Sequence, residues 1–267
     1  MENKTQQLDT NKISVVLAST LIFLVSDNLI PNGYFNPGAD LSLFGLIIPI
    51  DLGFLYSVMI SGMVVVGMLW ILSDHPSPTI KKTRHVFLPA LFVFILSVAL
   101  KQLPVSGTFW VILAVGAGLL YLTLVSEFIS VDTIDMRFPL ASASLQTLAY
   151  VIFFIFVSTL SYGNQRLIFQ FLFVFIASFA IAERNFHLRT GNWKNVWSLI
   201  IAFIVAQITV GFHYLPLRPY QFGVFSVGIL FSLIELTQLI EGEFDQKNLW
   251  LPGLILFFFI FIGLVLH

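Results

Sequence analysis

Nine side chains able to hold a charge or an amide hydrogen bond fall within otherwise apolar runs. They are Asp27, Asp51, Glu183, His213 and Glu235, with the amides Gln146, Gln170, Gln207 and Gln238. An ionisable group in hydrocarbon costs several kcal/mol unless it is paired, so each is a candidate for function. Glu235 lies about one and a half turns inside its run, with Gln238 on the same helical face at i+3. Its candidate partners are cations expected at the cytoplasmic side: Arg137, Arg184 and Arg189. Such a pair either locks two spans together or holds a proton or cation. Its carboxylate cannot snorkel as lysine does, so Glu235 is expected to be met by protein. Gln207 is a further candidate for a buried polar site at mid-membrane.

A second set is expected at the outer face: Asp27, Asp51, Arg166, His213 and Arg218. Asp51 precedes Leu52-Gly53-Phe54-Leu55, where a carboxylate can accept the free N–H groups of a starting helix. Asp27 lies in the last turn of its span, where the helix dipole disfavours an anion. It therefore reaches water or has a cationic partner, and Lys101, Arg166, Arg218 and His213 are all expected on its side. Glu183-Arg184 reads as an interfacial pair ending a span.

Several chemistries fail on residue type or spacing. Zero cysteines exclude disulfides, Fe–S clusters, thiolate nucleophiles and Cys-ligated zinc. Every histidine falls near or beyond a span end, which does not suit a haem held between facing helices. No HExxH and no Walker motif occurs. Ser106-Gly107 with His213 offers a serine and a histidine on one side, but a Ser-Gly dipeptide in a tight turn reads as a turn. Asp132 and Asp135 could meet a metal, yet two acids in a solvated loop are a weak signal, and neither metal nor cofactor is expected. A net charge of −1 without a basic stripe argues against nucleic acid as a partner.

The elements that must position these residues follow from composition. Of the 267 residues, 58% are hydrophobic and 10% charged, against roughly 25% charged in soluble domains. The apolar runs are continuous rather than alternating, which indicates helices and not a barrel. With roughly 20 apolar residues needed per crossing, nine spans are predicted at about 13–30, 52–73, 86–103, 107–126, 138–161, 167–183, 196–215, 221–240 and 249–266. Turn or charge signals separate them, among them Pro31-Asn32-Gly33, residues 103–107, residues 127–137 and Thr190-Gly191-Asn192. The N-terminal tail and the even-numbered loops hold ten Lys and Arg, and the opposite side holds three. By the positive-inside rule the N-terminus is cytoplasmic and the C-terminus outside. Trp70, Trp110, Trp193, Trp197 and Trp250 fall near span ends, as an interfacial indole should. Lys12 ahead of a long apolar run, with no A-x-A-like site after it, reads as a retained signal anchor.

The predicted organisation is a short polar tail, 1–12, and one membrane-embedded all-α domain, 13–267. Ala114-x-x-x-Gly118, Ala141-Ser142-Ala143-Ser144 and Ser178-x-x-x-Ala182 are predicted helix-contact faces. The 29 phenylalanines read as lipid-facing surface. Residues 41–50 are too apolar for water and too short to span, so the outer loop 31–51 is expected to fold back as an interfacial or re-entrant element.

The pattern 196–211, then Phe212-His213-Tyr214-Leu215-Pro216-Leu217, then 223–238 resembles an uncharacterised family of bacterial polytopic membrane proteins. In that family an aromatic-leucine-proline turn joins two late spans. The resemblance covers residues 137–242 and implies a bacterial cytoplasmic membrane but no activity. Two function classes remain open. One is a non-enzymatic protein, either transporter-like or an accessory subunit with other membrane subunits and the bilayer as partners. The other is a membrane-embedded enzyme acting on a lipid-linked substrate at the outer face.

Overall fold

A computed structural model describes residues 9–29, 40–43, 46–49, 52–73, 75, 83–132, 134–162, 167–241 and 250–265. Among these residues there are nine α-helices. They are α1 (Thr10–Leu29), α2 (Leu52–Leu72), α3 (Phe87–Lys101), α4 (Gly107–Ile129) and α5 (Phe138–Tyr162), then α6 (Leu167–Thr190), α7 (Asn195–Phe212), α8 (Pro219–Glu241) and α9 (Trp250–Val265). A 3-10 turn, Thr83–Val86, leads into α3. Eight of the helices, α3 counted from Arg84, are long and apolar enough to cross a membrane. The ninth, α9, has 16 residues. At 1.5 Å per residue it covers about 24 Å, short of an untilted crossing. The chain is an integral membrane protein built from helices.

Local chemistry sets the helix ends. Pro89, Pro139, Pro219 and Pro252 each lie in the first turn of a helix, where a missing N–H breaks no bond. Gly191 follows α6 with φ +71°, the left-handed conformation that glycine adopts without penalty. Two helices run further than the sequence reading had them. Helix α4 continues to Ile129 through Glu127, and α6 continues to Thr190 through Glu183 and Arg184. Charge alone does not end a helix when the side chain finds a partner. Within residues 31–51, Asp40–Leu43 pairs antiparallel with Leu46–Pro49. The rest of 31–51, and with it the expected fold-back, lies outside the described residues.

The helices group into two compact units, Met1–Ser144 and Leu145–His267, with the division falling inside α5. In the first, α1 packs on α2, α3 and α4, and α3 packs on α2 and α4. Val64 and Met68 of α2, Val93 and Leu100 of α3, and Leu120 and Leu124 of α4 are fully buried there. The close approach of α3 and α4 depends on Gly116, where a Cβ would stand 2.7 Å from Leu96. That position, rather than the predicted Gly118, is the small contact residue. In the second unit α6 packs on α7, and α8 packs on α7, α6 and α9. Ser178 and Ala182 are both fully buried on α6, in keeping with the predicted contact face. Gln221 Nε2 donates to the Gly263 carbonyl at 3.0 Å and ties α8 to α9.

Candidate functional site

Glu235 is paired. Its Oε1 lies 2.5 Å from Arg189 Nη1, in the last turn of α6. The same Nη1 donates to Gln238 Oε1 at 2.7 Å, and Arg189 Nε donates to Gln146 Oε1 of α5 at 3.4 Å. One guanidinium thus joins α5, α6 and α8. Helical spacing explains the convergence, since Glu235 and Gln238 share a face at i+3 and Gln146 precedes Tyr150 by one turn. Tyr150 is within electrostatic reach of both Arg189 and Glu235. Its ring packs on Phe231 of α8 at 5.0 Å between centroids. The side chains of Arg189 and Glu235 are 27% and 17% exposed, so the pair is sheltered but not sealed.

Of the three candidate cations, Arg189 is the one that meets Glu235, and Gln238 joins it as expected, while Arg184, Arg137 and Gln207 lie elsewhere. Arg184 is buried, but it lies over the Trp193 ring at 6.0 Å rather than on Glu235. Arg137 is exposed, and its backbone N–H donates to Asp135 Oδ1 at 2.8 Å. Gln207 is exposed on α7 and is no part of a buried polar site. Arg137 starts a helix and Gln207 sits on the outward face of one, so neither is carried inward. Glu183 and Arg184 do not end a span: both are buried within α6, six residues short of its end.

Asp27 has a cationic partner. Lys101 Nζ lies 2.9 Å from Asp27 Oδ2. The ammonium also donates to Ser57 Oγ at 2.9 Å and to the Gly53 carbonyl. Ser57 Oγ and Ser97 Oγ are 2.9 Å apart, and Ser97 Oγ donates to Asp27 Oδ2 at 3.3 Å. These bonds close a ring through the ends of α1 and α3 and the start of α2. Asp51 and Arg166, also predicted for this face, lie outside the described residues. His213 and Arg218 belong to the second unit and are exposed. The His213 ring meets Tyr214, and the Arg218 backbone N–H donates to Gln221 Oε1 at 2.9 Å.

A third cluster escaped the sequence reading, which placed Glu127 in a loop. Glu127 is fully buried, and its Oε2 lies 2.9 Å from His85 Nδ1. Ser130 Oγ sits 3.3 Å from the same carboxylate oxygen and 3.4 Å from the same ring nitrogen. A carboxylate only accepts, so Nδ1 carries the proton. A serine relay needs acid and hydroxyl on opposite ring nitrogens. Here both meet Nδ1, so Ser130 is not arranged as a nucleophile. Ser106 flanks the start of α4 as a turn residue, as predicted. Among the described residues no group of three His, Cys, Asp or Glu could hold a metal.

Polar satisfaction is uneven within the second unit. Tyr150 Oη and Ser158 Oγ on α5, Gln170 Nε2 and Ser178 Oγ on α6, and Ser232 Oγ and Gln238 Nε2 on α8 are buried with no hydrogen-bond partner among the described residues. In hydrocarbon such atoms cost several kcal/mol each unless water or a ligand meets them. Hydroxyls of the first unit, by contrast, are bonded: Thr20 to the Val16 carbonyl, Thr123 to the Leu119 carbonyl, and Ser57 and Ser97 within the ring.

Residues 36–266 match a family described as a protein of unknown function, DUF5656. No curated protein and no solved structure matches the chain.

Proposed function

The chain belongs to the DUF5656 family of proteins of unknown function, and we propose that it is a non-enzymatic, transporter-like protein whose second unit carries a small polar solute. The observation that supports this is the set of unpartnered polar atoms on α5, α6 and α8. A helix bundle with only structural duties has no reason to bury hydroxyls and amides without partners in hydrocarbon, whereas a solute path needs them. The arrangement of Ser130 against His85 gives the enzymatic alternative no support. The reading places the protein in a bacterial cytoplasmic membrane, N-terminus inside, because helical spans and the distribution of Lys and Arg fit that setting.

The absence of native cysteine makes a direct test simple. Ser158→Cys, Ser178→Cys and Ser232→Cys are near-isosteric and can be made one at a time. A small hydrophilic methanethiosulfonate should modify these thiols in intact membranes, while Val151→Cys, at an exposed position on the apolar span α5, is the control expected to stay unmodified. No modification at any of the three serine positions would refute a polar path.

A further inference from the structure

The Arg189–Glu235 pair combines two features that a purely structural pair does not need together. Its guanidinium is already neutralised by Glu235, yet two donors beside it, Gln238 Nε2 and Tyr150 Oη, are buried and unused. The Tyr150 Oη is buried without a hydrogen-bond partner among the described residues, and it lies within electrostatic reach of both members of the pair. Gln238 cannot solve its problem by rotating its amide, because its Oε1 is committed to Arg189 at 2.7 Å. The unmet demand is therefore for an acceptor beside a cation.

We infer that this cluster is a proton-coupled site for a small monovalent oxyanion, such as a carboxylate. The inference rests on the transporter-like reading and names its substrate class. The anion takes the place of Glu235 on Arg189, and its oxygens accept from Gln238 Nε2 and Tyr150 Oη. The displaced Glu235 carboxylate takes one proton from water. Charge balances at each stage: the empty site holds one guanidinium and one carboxylate, and the loaded site holds one guanidinium, one bound anion and a neutral Glu235. An anion without the proton would face the Glu235 charge at close range, which in a low-dielectric setting is strongly unfavourable. Coupling is thus built into the exchange of partners. The groups that face Glu235 are Arg189 of α6 and Tyr150 of α5, with Gln238 on its own helix. Helices α7 and α9, which also pack on α8, carry no charged residue.

The test uses the full-length protein in detergent, titrated with sodium acetate or sodium nitrate at constant ionic strength set with chloride. Binding should tighten as pH falls, with a limiting slope of about tenfold per pH unit for one linked proton. In weakly buffered solution about one proton should be taken up per anion bound. Glu235→Gln should bind with no proton uptake and no pH dependence, since the amide can still accept from Arg189 but cannot titrate. Tyr150→Phe should weaken binding several-fold while leaving the wild-type proton stoichiometry intact. Binding of neither anion, or binding by wild type without proton uptake, overturns the proposal. If the Ser178 and Ser232 thiols remain accessible in that event, only the substrate class is lost. If they are inaccessible as well, the transporter-like reading falls with it.

Discussion

Replacing Lys101 by methionine isolates the contribution of the Asp27 ring, because methionine keeps the length and apolar stem while removing the ammonium. In the native chain Asp27 Oδ2 receives Lys101 at 2.9 Å and Ser97 at 3.3 Å, and its side chain is 9% exposed. After the substitution the carboxylate keeps only the long Ser97 bond, and the Gly53 carbonyl loses its charged donor. Stranding one member of a buried pair costs roughly 3–5 kcal/mol. Lys101 is 24% exposed, so water repays part of that and the estimate falls to about 3 kcal/mol. Asp27→Asn should cost less, about 1–2 kcal/mol, because its amide oxygen still accepts while Lys101 keeps Ser57 and Gly53. The double variant should recover about 2 kcal/mol relative to the sum, as contacting residues do in a mutant cycle. Reversible unfolding in mixed detergent and dodecyl sulfate, followed by tryptophan fluorescence, measures all four corners. Trp70 and Trp110 lie in the same unit and report on it. Additivity within about 0.5 kcal/mol would show that the two groups do not support each other, and the ring would lose its meaning.

Three further outcomes are expected. Glu235→Gln should retain most of the fold and Glu235→Leu should cost about 2 kcal/mol more, because the glutamine amide oxygen still accepts from Arg189 whereas leucine leaves the guanidinium with no acceptor at position 235; equal thermal midpoints would contradict this. His85→Leu should destabilise the first unit by about 3 kcal/mol by stranding Glu127, whereas Ser130→Ala should cost about 1 kcal/mol, and the same unfolding assay separates the two. A C-terminal fusion to a reporter active only outside the cytoplasm should be active, and one active only inside should be silent; the reverse would mean that the number of crossings is even.

What the sequence disclosed and what it hid divide along a physical line. Asp27 and Glu235 stood out because a charge in a long apolar run is costly wherever it points, and cost can be read without coordinates. Their partners could be narrowed by position along the chain, since Lys101 and Arg189 both lie in the last turn of a helix. Choosing Arg189 over Arg184 needed the rotation of α6: five residues separate them, so they leave the helix on different faces. Glu127 was hidden because it opens a run of charges that reads as a loop. The contrary signal was Phe128-Ile129, apolar residues that resume after Glu127 and continue the stripe of Leu120 and Leu124. Its partner His85 lies 42 residues away, and nothing local announces it. Unpartnered atoms such as Tyr150 Oη are not legible in a sequence at all, because being unpartnered is a property of everything around them.

Exchanging the two charges of the first unit tests whether the ring is more than an attraction between opposite signs. Asp27 and Lys101 both lie in the last turns of their helices, where the dipole favours a cation and disfavours an anion. The native arrangement places one residue well and one badly, and Asp27→Lys with Lys101→Asp merely swaps which is which, so the dipole contribution cancels to within a few tenths of a kcal/mol. What does not cancel is the oxygen set. Ser57 Oγ and the Gly53 carbonyl accept from the ammonium at position 101. A carboxylate there meets a carbonyl oxygen that can only repel it, while the ammonium at position 27 keeps a single hydroxyl, that of Ser97. Lost charge-assisted bonds are worth about 1.5–3 kcal/mol each. The swapped protein should therefore remain at least about 2 kcal/mol below wild type although its charge pair is intact. Full recovery of the unfolding midpoint would mean that Coulomb attraction alone holds the three helix ends together, and that the serines and the Gly53 carbonyl are bystanders.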